Sequence, residues 1–347
     1  MPWLKERLSM SANDSRKSAL DAWAQGMLED RGLKLPQGFS LQPASDDASF
    51  RRYFRYSGDP SFIFVDAPPA MEDSRPFIVV AALLASAGLN VPDVYEHDPD
   101  NGFMMIKDLG EDLYFDRLDD MAQIEPLYQD AFAALAKMQQ IPARLDPYNE
   151  ILLHDEMNLF PEWFLARQLD IDRAPNMLGE VFRLMITNAT SQPQVFVHRD
   201  YHCRNLMVAE PNPGVIDFQD AVIGPITYDL VSLLKDCYHK FPTDQIERWV
   251  LGYRARLVMA GQLEASVSET TFMRWFDFMG FQRHLKCAGI FSRLNIRDGK
   301  PGYLADIPLV LQYLSEVCER YSELKGFGAW LQEDVMPRMN SAEYVRR

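Results

Sequence analysis

The 347-residue chain is longer than one ordinary core requires, so two lobes or domains are the starting expectation. With 47% hydrophobic and 12% aromatic residues it reads as globular rather than disordered. Its 50 acidic against 35 basic side chains give a formal charge of -15, which repels phosphate backbones and anionic lipid and argues against a nucleic-acid partner.

Cys203, Cys237, Cys287 and Cys318 lie far apart and form no CxxC pair. That spacing argues against a zinc motif or a disulfide framework and suits reduced thiols in a cytosol. The first residues carry no apolar signal core, and the longest apolar run, residues 77–89, is too short to cross a bilayer. The expectation is a cytoplasmic chain with no membrane partner and no obligate protein partner.

In chain order, "NDSRKSALDAWAQGMLEDRG" (13–32) opens on capping residues and closes on Gly32, which predicts a helix. Between 39 and 107 come short β-rich runs, "FSL", "FRRYFRY", "FIFVD", "DVYEH" and "GFMMI", separated by turn residues and interrupted by one helix over 75–87 with Gly88 as its stop. After "KDLG" (107–110) the periodicity turns helical, with segments near 123–140, 155–169, 226–239, 243–260 and 304–323. The pattern therefore predicts an α+β chain, a small β-rich lobe over 1–107 and a mainly helical lobe over 108–347. The last residues, "MPRMNSAEYVRR", are expected to form a loosely held tail.

The helical half contains one polar strand-loop-strand stretch, "VFVHRDYHCRNLMVAEPNPGVIDFQD" (195–220). Asp200 and Asn205 fall in its loop, and Asp217 ends the following strand. An amide and a carboxylate brought together by a hairpin suit a hard cation such as Mg2+, which keeps most of its waters and takes one or two protein oxygens beside phosphate. Asp200, left off the metal, can accept a proton from an attacking hydroxyl. This His-Arg-Asp plus Asn pattern is the catalytic-loop signature of kinase-type phosphoryl transfer. His198 is expected to hold the loop by a hydrogen bond rather than to carry a proton.

On these residues the chain resembles the aminoglycoside phosphotransferase family, a branch of the protein-kinase-like fold. The matching pieces are "VHRDYHCRNLMV", "GVIDFQDAVIGPITYDLVSLLKD" and the hinge-like "MMIKDLG". It looks most like the bacterial kinases that phosphorylate the anomeric hydroxyl of N-acetylmuramate and N-acetylglucosamine in peptidoglycan recycling, through "SDDASFRRYFR", "FVDAPP", "RPFIVVAALLASAGLNVP", "LFPEWF" and "MGFQRHLKCAGIF". The resemblance implies a two-lobe kinase fold using ATP and Mg2+. It further implies that Asp229 braces the catalytic loop and that Lys107, Asp108 and Leu109 meet the adenine edge.

The pattern departs from kinases in the first lobe. No lysine occurs between Lys34 and Lys107, and the helix over 75–87 holds no acid. The Lys-Glu pair that steadies the phosphates in protein kinases is missing, and with it the regulatory switch built on that pair. Arg51 and Arg52 are the candidate phosphate cations after the turn at Ser49, and strand alternation allows only one of them to face the nucleotide. For a sugar acceptor, one of them carrying a carboxylate, the candidate contacts are Arg204, Asp220, Glu156, Glu162 and Arg283. Lys286 has surface charge as its plain alternative, and Arg283 is expected to point off to the side. Two alternatives stay open: a kinase of another alcohol, an aminoglycoside or choline-like compound, and a nucleotide-binding protein without catalysis.

Overall fold

A computed structural model describes residues 2–45, 50–172 and 175–339. The chain forms two compact units, one of Met1–Asp112 with Met207–Gln219 and the other of Leu113–Leu206 with Asp220–Arg347. Residues 207–219, read from the sequence as part of the helical half, thus group with the β-rich unit.

The first unit is an antiparallel sheet in the order β1-β2-β3-β5-β4. Its strands are β1 (Gln42–Ser45), β2 (Arg52–Tyr56), β3 (Phe62–Asp66), β4 (Val94–Asp98) and β5 (Phe103–Lys107). Alternation places Phe54, Phe62, Phe64, Phe103 and Met105 on one face, where they pack with Leu20, Ala24 and Leu28 of α1 (Pro2–Asp30). Burying each such side chain stabilises by roughly 1.5–3 kcal/mol. The chain turns at Gly32, in the left-handed region at φ 76°. The expected strand at 39–41 is displaced: Leu41 is buried in the α1 cluster and its N–H bonds Asp21 Oδ1 at 3.0 Å, so the sheet begins one residue later. The second helix, α2 (Arg75–Ser86), has Pro76 in its first turn and buries Phe77, Val80, Ala81 and Leu84. A short hairpin, β6 (Leu206–Met207) with β7 (Gly214–Val215), is tied to the segment after α2 by Val215 N–H to Asn90 O at 2.8 Å and Asn90 Nδ2 to Pro211 O at 2.7 Å.

The second unit is mainly helical, with α3 (Met121–Met138), α4 (Glu150–Leu159), α5 (Leu178–Thr190), α6 (Tyr228–Leu234), α7 (Thr243–Met259), α8 (Glu269–Asp298) and α9 (Ile307–Arg320). After α4 the chain continues as wider π-type turns over Phe160–Gln168. Pro161, lacking an N–H, cannot continue the α-helical ladder there. Gln194–Val197 pairs antiparallel with Val222–Pro225, so the strand before the catalytic loop finds its partner beyond the hairpin. The helix expected over 226–239 is shorter, because Lys235 leaves helical geometry and Asp236 then accepts the N–H groups of Tyr238 and His239. At the end of the described chain Met336–Met339 is helical, with Met339 buried and Arg338 donating to the carbonyls of Leu169 and Asp170 at 2.9 Å. Residues 336–339 of the expected loose tail are therefore held in place, and the rest of that segment lies outside the described residues.

Helix α8 runs through the middle of this unit, burying residues on every side from Phe272 to Ser292. Gly289 is required where it meets the end of α4, since a Cβ there would lie 2.4 Å from the carbonyl carbon of Leu159. That approach positions the polar residues of α8 against those of α4. The four cysteines are unpaired and buried. No helix among the described residues is long and apolar enough to cross a membrane.

Candidate active site

The loop from His198 to Asn205 is held from beneath. Asp229, fully buried in the first turn of α6, accepts the N–H of His198 at 2.7 Å and that of Arg199 at 2.9 Å. Burial pushes its carboxyl up to about 7, with the two N–H donors acting the other way. Holding both amides bends Arg199 into the left-handed region at φ 78°, an uncommon conformation for a side-chain-bearing residue that surrounding bonds must maintain. Beyond the bend, Asp200 N–H meets His198 Nδ1 at 3.3 Å, and Asn205 Nδ2 donates to Asp200 O at 2.9 Å. The loop is also fastened by Tyr201 to Ala131 O at 2.9 Å and by Cys203 Sγ to Asp236 at 3.0 Å. With the backbone fixed, the Asp200 side chain remains 43% exposed.

A buried charge network adjoins that carboxylate. Glu156 of α4 takes Lys286 Nζ at 3.0 Å, the Arg199 guanidinium and the Tyr148 hydroxyl. Lys286 also reaches Tyr228 Oη at 3.2 Å, and Gln282 donates to Tyr148 Oη at 3.1 Å. Arg283 lies 4.0 Å from Asp200 Oδ1, its other nitrogen facing the thiols of Cys287 and Cys237 at 3.8 and 4.0 Å. Burial opposes ionisation of Asp200, but Lys286, Arg283 and Arg199 outweigh it and hold the carboxyl below the usual range. Burial holds His202 down at about 4, so its ring is neutral at physiological pH. Lys286, Arg283 and Arg199 thus favour the ionised form of the Asp200 carboxyl.

The oxygen donors suited to magnesium are distributed over the two units. In the helical unit, Asn205 donates its amide nitrogen to Asp200 O. In the β-rich unit, Asp217 is held at φ 62° and accepts from Gln219 Nε2 at 2.7 Å through one oxygen. An amide oxygen and a carboxylate are donor types that a water-retaining hard cation takes, and each unit offers one of them.

In the β-rich unit the two candidate arginines go to different partners. Arg51, buried, pairs with Glu72 at 3.2 Å. Arg52 donates through Nε to buried Asp66 at 3.0 Å, and Arg16 of α1 bonds the same carboxylate. An Arg-Glu pair thus exists in a lobe that lacks the Lys-Glu one. Ser49 lies outside the described residues. Lys107 pairs with Phe62 in the sheet and gives its N–H to Asp93 O at 2.9 Å, so that group is already used. The Asp108 carboxylate takes Arg55 at 2.8 and 3.1 Å and the N–H of Gly110 at 2.9 Å, which fixes the segment around Leu109.

Of the remaining candidates, Glu156 has its carboxylate filled by protein groups and supports the loop through Arg199. Glu162 pairs with Arg167 at 3.2 Å near the surface, and nothing joins it to Asp200. Asp220 is exposed. Arg204 stacks on Tyr238 and Phe115.

A family model described as the phosphotransferase enzyme family matches residues 40–265. The chain belongs to this family. A Pseudomonas putida protein named N-acetylmuramate/N-acetylglucosamine kinase is 42% identical over 335 residues, covering 93% of this chain and 98% of its own length. A Pseudomonas aeruginosa protein of the same name is 42% identical over 332 residues, covering 92% and 97%. Among solved structures, ADP-bound aminoglycoside phosphotransferase APH(2'')-Ib shares the fold with a TM-score of 0.56 at 14% identity, covering 86% of this chain and 99% of that one. The two-lobe kinase-like fold expected from the sequence, a small antiparallel sheet followed by a mainly helical part, is the fold of this phosphotransferase.

Sequence reasoning missed part of the phosphotransferase site. Tyr148, Tyr228 and His202 are not among the residues the sequence singles out, while Lys286, whose plain alternative is surface charge, pairs with Glu156, and Arg283, a candidate sugar contact, lies 4.0 Å from Asp200. All but His202 depend on contacts between distant segments: Gln282 and Tyr148 are 134 residues apart, and Arg199 and Glu156 are 43 apart. His202 alone had a local signal, two positions after Asp200 in the loop.

Proposed function

We propose that this phosphotransferase is an ATP- and Mg2+-dependent kinase of the anomeric hydroxyl of N-acetylmuramate and N-acetylglucosamine, working in the recycling of cell-wall amino sugars. The observation that carries the chemistry is Asp200: a carboxylate whose adjacent cations favour its ionised form, on a loop fastened through Asp229, with its side chain 43% exposed. The choice of sugar is supported by the names of the relatives that match nearly the whole chain.

In this reading Asp200 receives the proton of the acceptor hydroxyl as its oxygen bonds the γ-phosphorus and the bond to the β-phosphate oxygen breaks, leaving ADP. The transition state is loose, so alignment and charge neutralisation supply most of the acceleration. Asn205 and Asp217 would hold magnesium, whose charge offsets that of the phosphates. Arg51, steadied by Glu72, is the cation assigned to the nucleotide phosphates, because Arg52 is already shared with Arg16 at Asp66. Backbone groups near Leu109 are assigned to the adenine edge, and His198 supports the loop. A cationic acceptor, an aminoglycoside or choline-like alcohol, would meet Arg283 beside Asp200 and is disfavoured on that ground.

The test is ATP consumption over a panel of free sugars and alcohols, with the methyl glycoside of N-acetylglucosamine included. The free amino sugars should be phosphorylated and the glycoside, blocked at the anomeric oxygen, should not. Phosphorylation of the glycoside would reject the anomeric acceptor, and no turnover of any compound would reject the kinase reading.

A further inference from the structure

We infer that Arg204 is the anchor for a carboxylate on the acceptor, the group that distinguishes N-acetylmuramate from N-acetylglucosamine. This rests on the amino-sugar reading above and concerns how one site serves a charged and a neutral substrate.

Arg204 sits in the catalytic loop, between Cys203 and Asn205. Its guanidinium carbon lies 3.6 Å from the ring centroid of Tyr238 and 4.6 Å from that of Phe115. Among the described residues no hydrogen bond or ion pair engages it; Asp306 feels its charge only at longer range. The contrast with the other arginines and lysine here is chemical. Arg199 and Lys286 share Glu156, Arg51 faces Glu72, Arg52 faces Asp66 and Arg55 faces Asp108. In a chain with 50 acids against 35 bases, an arginine in the catalytic loop lacking a carboxylate partner differs from these.

Stacking on rings engages the flat faces of a guanidinium and leaves its N–H edge for hydrogen bonding. That edge matches a carboxylate in a two-bond fork. The stack is also rigidly placed. The Phe115 N–H bonds Cys203 O at 3.0 Å and the Tyr238 N–H bonds Asp236 at 2.8 Å, while Asp236 also takes the Cys203 thiol. The Tyr238 ring meets the His202 ring edge-on at 5.5 Å, two residues from Asp200. The cation is therefore held by the same loop that carries the base, and the ordering cost of a bound carboxylate is small. Arg283 does not fill this role, because it already faces Asp200.

A neutral acceptor forms no ion pair with Arg204, so the prediction concerns a ratio. The kcat/KM for N-acetylmuramate divided by that for N-acetylglucosamine should fall by roughly 10- to 100-fold in Arg204→Met, the loss expected for a charged hydrogen-bonded contact. Arg204→Lys should restore part of it. The wild-type enzyme supplies a check independent of folding: N-acetylmuramate methyl ester, which lacks the charge, should lose a similar factor against the free acid, chiefly in KM. An unchanged ratio in Arg204→Met, or an ester as good as the acid, would overturn the assignment. If the wild type phosphorylates neither sugar, the functional reading fails instead, and the two failures are told apart by that control.

Discussion

Replacing Glu156 by Gln tests the network that supports the catalytic loop. The side chains of Glu156, Lys286 and Arg199 are 8%, 10% and 19% exposed, so the substitution removes the one negative charge from between two screened cations while leaving shape almost unchanged. Breaking one side of a buried ion pair costs roughly 3–5 kcal/mol, mostly from the charge left uncompensated. Against a total stability of about 5–15 kcal/mol, that is a large fraction. It corresponds to about 6–20 °C in Tm at 2–4 °C per kcal/mol. Guanidinium unfolding, followed by circular dichroism and tryptophan fluorescence, measures it. Adding Lys286→Met to the Gln variant should recover part of the loss, with a coupling of about 1.5 kcal/mol or more in the double-mutant cycle. The pH dependence has a definite sign. Burial pushes the Glu156 carboxyl up, but Lys286 and Arg199 outweigh it, so its folded pKa lies below 4.5. Its contribution is whole above 4.5 and is lost as pH falls through the depressed folded value. The wild type should lose stability more steeply there than the Gln variant. A Glu156→Gln protein within about 1 kcal/mol of wild type would refute the claim that this carboxylate holds the two cations.

Asp200→Asn should lower kcat by about 10²- to 10⁴-fold, the span of general-base effects, with nucleotide binding by calorimetry retained; wild-type turnover would remove Asp200 from its role. Asp217→Ala should abolish activity across a magnesium titration, and recovery at high magnesium would show that the residue only assists binding. Arg51→Met should raise the nucleotide KM about tenfold or more, the loss of one charged contact, while Arg52→Met should act mainly on Tm through Asp66; an interchange of these effects would reassign the phosphate cation. Gly289→Ala should destabilise the helical unit by about 1–3 kcal/mol, because the added methyl overlaps the backbone of Leu159, and a neutral result in a melt would mean that α8 shifts at little cost.

The parts of this phosphotransferase written in contiguous residues were legible from the chain alone. The spacing of Asp200, Asn205 and Asp217 points to kinase chemistry because a loop between short strands constrains residues only a few positions apart. The strands of the β-rich unit follow from short β-rich runs between turn residues, a signal that is equally local. The strand near 40 was misplaced, because Leu41 answers to α1 rather than to its neighbours in sequence. Helix α5 was missed although Leu178, Val181, Phe182, Met185 and Ala189 recur at helical spacing. The hidden part is what surrounds Asp200. Helix α8 is buried on all sides, so it has no polar face by which to tell a solvated Lys286 from one locked on Glu156. Which arginine joins Glu72 and which joins Asp66 depended on where α1 and the turn before α2 come to rest. A charged side chain takes its function from the partner that folding places beside it, and in this protein most of those partners come from segments remote in the sequence.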